Sequence, residues 1–375
     1  MEIVTTNSNG RTVLPRPWRG PQEVGRLGVY YAPRCARPDF APGLMREARR
    51  SLPQVDVVHA SAAYHWFFPP LARACWRARR PLVVSPRGAL VPRARGTKVA
   101  KKRLYEMLFG QKAFRRVAAF HATSDGEASA VRELVPGARV AVIPNGVEVP
   151  GVLPERDPGS APFALYLGRL HPYKRVERII SAFARATHEE GLEGRGKREK
   201  GKANRHLEED PTVVGPWSLI VAGEGEASYR RGLERVAAEA GLGGRVRFAG
   251  KVSGEEKARL LAGAAFVVQA PNPENFGNVV AEALAHGTPA LVGRGLPWQG
   301  LAGEGCGFWV DDSEEALAAG MRRLVALLFE ERRAMGERGR AWMRREFSWD
   351  SVARRMLALY EELVPGRDGR PVAAG

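Results

Sequence analysis

A chain of 375 residues holds enough material for two domains, each half long enough to bury its own core. Its 44% hydrophobic and 26% charged content is ordinary for a globular protein; no apolar run nears the roughly 20 residues that span a bilayer, and three scattered cysteines (Cys35, Cys75, Cys306) exclude a disulfide framework or cysteine metal cluster. The formal net charge of +17, rich in arginine, favours anionic partners: phosphorylated small molecules, anionic lipid or nucleic acid. No nucleic-acid recognition motif or aromatic-basic platform accompanies the charge, so no nucleic acid is expected as a partner. The opening MEIVTTNSNG lacks the basic-then-apolar order of a signal peptide, and with the cysteine usage it predicts a cytoplasmic protein.

In chain order, residues 2 to 6 read as a short strand and 28 to 31 as another, separated by a loop rich in Pro, Gly and Arg. A helix is predicted over 42–51, a buried strand over 55–59, a helix over 70–79 and a strand over 81–85. A long helix over 97–117 follows, then a strand over 118–122, a short helix over 125–134 and a strand over 140–143 that runs into Pro144-Asn145-Gly146. The Pro- and Gly-bearing stretch 144–162 has no period and reads as a linker. The alternation then restarts, with strands over 163–167, 217–222, 245–249, 265–269 and 289–292. Helices over 175–186, 228–240, 254–261 and 278–286 fall between and after them; two more occupy 313–345 and a last one 350–363. Strand and helix in repeated alternation predict parallel sheets covered by helices: an α/β chain of two Rossmann-like doubly wound domains. The domains are read as 1–148, 149–348 and a C-terminal helix and tail over 349–375. Residues 189–211 are charged and nearly free of large apolar side chains, which predicts a disordered insertion.

Three motifs carry chemistry. Gly168-Arg169-Leu170 directly follows a strand, with Lys174 where the next helix begins. Two cations beside a helix N-terminus suit a diphosphate, and a turn glycine with two solvated cations is the plainer alternative. The run Val221-Ala222-Gly223-Glu224-Gly225-Glu226 is a glycine-rich strand-to-helix turn that suits tight packing more than a phosphate. The third run, PNPENFGNVVAEAL, sets Glu274 in a loop and Glu282 one turn inside a helix. Between them Phe276, Gly277, Asn278 and Val279 offer backbone N–H groups at the helix start, and the carboxylates can accept hydrogen bonds from hydroxyls.

These runs, GRLHPYK, GEGE, ENFGNVVAEALAHGTP and IPNGV, together resemble the retaining glycosyltransferases of family four, which have the GT-B fold, two Rossmann-like domains facing a cleft. SPRGAL, HATS and GRGLPW are similar to stretches of members that build bacterial surface polysaccharides. The resemblance implies a hexosyltransferase that moves a sugar from a nucleotide-sugar to a saccharide or lipid-linked acceptor with retention, with no cofactor beyond that donor. It implies that Arg169 and Lys174 hold the donor diphosphate, Glu274 the sugar hydroxyls and Glu282 the ribose hydroxyls. Gly168 and the amides of Phe276, Gly277, Asn278 and Val279 would touch sugar and phosphate, with Lys251 and Val252 beside the base. Where many members carry a catalytic-site histidine, this chain has Ser85-Pro86-Arg87-Gly88; Arg87, His59 and His121 are the candidates on the N-terminal side. No clear version of the opening strand and glycine-bearing loop is seen, which predicts a truncated N-terminal domain, and on that reading a non-catalytic remnant stands beside the enzyme. A sugar-nucleotide epimerase or phosphorylase of the same fold is the other alternative. No Asp-x-Asp run occurs, so no metal ligand is expected.

The segment 93–116 alternates Lys98, Lys101, Lys102, Arg103, Lys112, Arg115 and Arg116 with Val99, Leu104, Met107, Leu108, Phe109 and Phe114. Such a segment either lies peripherally on an anionic membrane surface, at the inner face of the plasma membrane, or packs its apolar stripe into the core.

Overall fold

The computed structural model describes residues 1–9, 12–14, 22–35, 40–61, 63–91, 99–154, 161–187 and 216–364; the predicted insertion over 189–211 lies outside them. The chain forms two compact units, Pro144–Ala353 and Met1–Ile143 together with Arg354–Gly375.

The larger unit holds six parallel strands in the spatial order Val246–Gly250, Ser218–Ala222, Phe163–Leu167, Phe266–Gln269, Ala290–Gly293, Gly307–Val310. Numbered along the sequence that order is 3-2-1-4-5-6, the doubly wound arrangement. Parallel strands are covered on both faces, so successive residues of one strand enter different cores. Ala164 and Tyr166 join Ile179, Phe183 and Leu317 on one side, while Leu165 and Leu167 join Leu261 and Ala283 on the other. Helix Val176–Thr187 keeps Val176, Ile179, Ile180 and Phe183 fully buried on the sheet.

The smaller unit has a parallel sheet of Val58–Ala60, Leu82–Val84, Ala119–Ala122 and Val140–Val142. A second sheet pairs Glu2–Thr6 in parallel with Leu27–Ala32, against which Gln22–Val24 folds back antiparallel. The sequence does not announce that return strand. Two elements differ from expectation. The strand expected over 55–59 starts only at Val58, because the 3-10 turn Leu52–Gln54 prolongs the preceding helix. The helix expected over 97–117 is described from Val99 and widens into a π turn at Glu106–Gly110 before closing at Phe114.

The last helix, Trp349–Leu363, crosses the division of the chain. From Arg354 on it belongs to the smaller unit, where Arg355 donates to the Val142 carbonyl at 2.6 Å and Glu362 pairs with Arg139.

Candidate functional site

In an open doubly wound sheet, ligands gather outside the carboxyl ends of the strands where the order reverses. In the larger unit the reversal falls between Phe163–Leu167 and Phe266–Gln269, which pair in parallel. The turn leaving the first strand is Gly168-Arg169-Leu170, and the loop leaving the second holds Glu274. Gln269, buried at the end of its strand, donates to the Leu167 carbonyl at 2.9 Å and ties the two exits together.

The GRL turn is held from behind by the glycine doublet of the GEGE run. Gly168 N–H donates to Ala222 at 2.9 Å, and Leu170 N–H to Glu224 at 2.7 Å. Gly223 has φ +146, and a Cβ there would collide with the Gly168 carbonyl oxygen; one on Gly225 would strike Leu170. The doublet is therefore a packing device directly beneath the diphosphate candidate. Past the turn, His171-Pro172-Tyr173-Lys174 forms one 3-10 turn, capped by His171 accepting from Tyr173 N–H. It delivers Lys174 Nζ to 2.5 Å from Glu274 Oε1. Tyr173 adds two more links to the glutamate loop, its carbonyl accepting from Asn272 N–H at 2.9 Å and its hydroxyl donating to Pro273. Arg169 is exposed, and it shares a neighbourhood with Glu274: the charges of both act on the buried Tyr166 phenol, whose hydroxyl donates to the Arg169 carbonyl at 3.1 Å.

The third motif forms the other wall. Gly277 caps helix Asn278–Ala285 with φ 79, a left-handed conformation that suits glycine. A helix leaves its first amides without intrahelical acceptors, here those of Asn278 and Val279. The Phe276 side chain turns away into an aromatic cluster with Trp298 and Phe347, and Trp298 Nε1 donates to the Phe276 carbonyl at 2.6 Å. The loop backbone is thus pinned while its side chain serves the core. Asn145 of the IPNGV run donates to Asn278 Oδ1 at 3.0 Å. Glu282 pairs with Lys257 Nζ at 2.8 Å. Val252 and Val279 both pack on the cluster that contains Leu167 and Ala222. The adjacent Lys251 is exposed at the end of Val246–Gly250, whose Gly250 carbonyl accepts from Gly223 N–H at 2.6 Å.

One residue of this wall escaped the sequence reading. The Asn275 side-chain Nδ2 is buried and has no hydrogen-bond partner, next to the glutamate whose carboxylate meets Lys174. A buried, unsatisfied donor costs about 1–3 kcal/mol unless something fills it. Its only sequence signal was its place inside the ENFGN run.

In the smaller unit the two histidine candidates form a hydrogen-bonded chain. Tyr360 hydroxyl lies 2.6 Å from His59 Nδ1, His59 Nε2 lies 2.6 Å from Ser85 Oγ, Ser85 Oγ lies 2.7 Å from His121 Nδ1, and His121 Nε2 lies 2.8 Å from the Ile143 carbonyl. Burial, the neighbouring His121 and the Arg87 charge push the His59 imidazole down to about 4, and burial likewise lowers His121. Both act as neutral polar links. Arg87 stands beside them with φ 51, and its turn is held by Glu127, whose carboxylate accepts from Gly88 N–H at 2.5 Å and from Thr123 N–H at 2.8 Å. Ser85 and Glu127 join the sequence candidates only through this packing.

The family described as "Glycosyl transferases group 1" matches residues 154–342, and "Glycosyl transferase 4-like domain" matches residues 1–146. The chain belongs to the group 1 glycosyltransferases. This group 1 chain is 31% identical over 195 residues to the "GDP-mannose-dependent alpha-(1-6)-phosphatidylinositol dimannoside mannosyltransferase" of Mycobacterium tuberculosis, a match covering 52% of the chain and 42% of that protein. The chain thus spans less than half the length of that relative. It is 25% identical over 369 residues to the "GDP-mannose:cellobiosyl-diphosphopolyprenol alpha-mannosyltransferase" of Xanthomonas oryzae pv. oryzae, covering 97% of the chain and 87% of that protein. Among solved structures, Anabaena HepE in complex with UDP-glucose superposes with a TM-score of 0.65 at 19% identity, over 88% of this chain and 85% of that one. That likeness establishes the GT-B fold of the group 1 chain.

Proposed function

We propose that the chain transfers a hexosyl group from a nucleoside-diphosphate sugar to a hydroxyl of a saccharide acceptor carried on a lipid, with retention of anomeric configuration, in the synthesis of cell-surface polysaccharide. The observation that carries this reading is the meeting of Lys174 with Glu274 at the point where strand order reverses, beside the free amides of a helix start. In the proposed step the acceptor oxygen bonds to the anomeric carbon on the face from which the phosphate leaves. The anomeric carbon–oxygen bond breaks, and the acceptor proton passes to the departing phosphate. Lys174, Arg169 and the helix dipole carry the charge that develops there, so that no divalent ion is needed for that task. Glu274 orients the sugar hydroxyls, Glu282 the ribose, and Gly168 with the Phe276–Val279 backbone lets the phosphates approach. Lys251 and Val252 flank the base. Arg87 binds donor or acceptor, with His59 and His121 supporting its turn.

GDP-mannose named for two relatives and UDP-glucose named for a structural neighbour define the first donors to try. The basic segment 99–116 supports work at the cytoplasmic face of an anionic membrane, where a lipid-linked acceptor resides. Thermal-shift titration with GDP-mannose, UDP-glucose and related donors tests the donor site; stabilisation by none of them overturns the reading. Release of nucleoside diphosphate that depends on added acceptor distinguishes a transferase from an epimerase or a phosphorylase of the same fold.

A further inference from the structure

Helices Pro42–Ser51 and Phe68–Arg77 and the segment from Val99 to Phe114 surround a groove of about 1060 Å³ in the smaller unit. Five cations line it, Arg49, Arg73, Arg77, Lys112 and Arg116, and none of its described lining residues is acidic. The one carboxylate between residues 99 and 116, Glu106, is buried and accepts from the Tyr64 hydroxyl. The outward face therefore keeps its positive charge.

The apolar residues here face two ways. Ala113 and Phe114 are buried in the core, as a packed amphipathic helix requires. Leu104, Met107, Leu108 and Phe109 are instead exposed, Met107 by 71%. The π turn at Glu106–Gly110 carries three large apolar side chains in succession outward, and Leu108 and Phe109 reach the groove wall. Trp76, 60% exposed, joins the patch through Arg116, a lining residue of the groove whose guanidinium lies 5.0 Å from the Trp76 ring centre. Large apolar side chains beside a ring of cations match a phosphate headgroup above hydrocarbon. The exposed aliphatic Met107 and Leu108 give no stacking surface and favour hydrocarbon over bases as the cover, while the rings of Phe109 and Trp76 suit either, so nucleic acid is kept as an outcome of the test.

We propose that this groove seats the headgroup phosphate of an anionic phospholipid in a bilayer, while Met107, Leu108, Phe109 and Trp76 enter the acyl boundary. The proposal rests on the membrane reading above and gives it an address. The test is flotation of the full chain with phosphatidylcholine vesicles, with and without phosphatidylglycerol, run beside the donor thermal shift. Each surface cation contributes about fivefold to partitioning, so Arg73→Glu/Arg77→Glu is expected to weaken binding to phosphatidylglycerol vesicles at least about twentyfold. Met107→Ser/Phe109→Ser is expected to lose binding as well, with the donor-induced shift retained in both variants. Wild-type chain that fails to float with phosphatidylglycerol, or variants that float as it does, would overturn the groove whatever the donor result. Binding of a short RNA that the charge variant abolishes, without vesicle binding, overturns it in favour of nucleic acid. A missing donor shift with intact, variant-sensitive flotation removes the transferase reading and leaves the groove standing.

Discussion

Lys174 Nζ and Glu274 Oε1 lie 2.5 Å apart, each on a turn that leaves a different strand at the reversal of strand order. Both side chains are about four-fifths buried, so the pair is shielded yet reachable by a ligand. Lys174→Ala and Glu274→Ala are each expected to lower kcat/KM for transfer by at least about a hundredfold, the scale for losing a preorganised charge. Each variant also strands its partner's charge in a mostly buried place, so the melting temperature is expected to fall as well, and transfer is compared at a temperature where both variants are folded. Transfer unchanged in both variants would remove their assigned roles.

Asn275 offers a test that separates binding from folding. Its buried Nδ2 lacks a partner in the free protein. Asn275→Ala is expected to leave the melting temperature of the free chain unchanged or higher, while weakening donor binding about tenfold, the worth of one buried hydrogen bond. Calorimetric titration with the donor reads both effects. Equal donor affinity in the variant would show that the amide does not face the ligand.

Two glycines should respond in opposite directions to alanine. Gly223→Ala adds a Cβ that collides with the Gly168 carbonyl at φ +146, and is expected to destabilise by more than about 3 kcal/mol and abolish donor binding. Gly232 sits inside helix Ala227–Glu239 with open space around it, so Gly232→Ala should stabilise by about 0.5–1 kcal/mol. Urea denaturation of both variants checks the contrast.

The histidine chain predicts acid sensitivity. His59 titrates at about 4 in the folded chain, below its ordinary 6.5, so between these values the unfolded chain binds a proton that the folded one does not. Stability from this group is complete above pH 6.5 and is lost as pH falls towards 4, on the order of 3 kcal/mol in all. His121 and His286, also lowered, push the same way. Thermal unfolding from pH 7 to pH 4.5 should show His59→Gln with a flatter profile than the wild type. Parallel profiles would mean that the imidazole is already protonated in the folded chain.

Much of this architecture could be read from residue order. Apolar runs such as FALYL and FVVQ, separated by helical periods, require strands buried on both faces, and the observed sheet has them in parallel. The GRL and ENFGN turns were visible because a glycine or a helix start after a strand leaves a recognisable local pattern. The return strand Gln22–Val24 was not, since three residues with little apolar content carry no period. The π turn was hidden for a similar reason: MLF reads as part of an amphipathic stripe until the backbone widens and turns it outward.

Local spacing and composition are thus enough to read the two α/β halves, the positions of the chemical turns and the charge excess. Which turns meet emerges from the folded sheet alone. Strand order is set by how helices cover the sheet, and no local pattern records that Phe163–Leu167 lies beside Phe266–Gln269. That adjacency brings Lys174 to Glu274 and places the GEGE glycines under the GRL turn, while the packing of Ser85 between two distant histidines joins them into one buried chain.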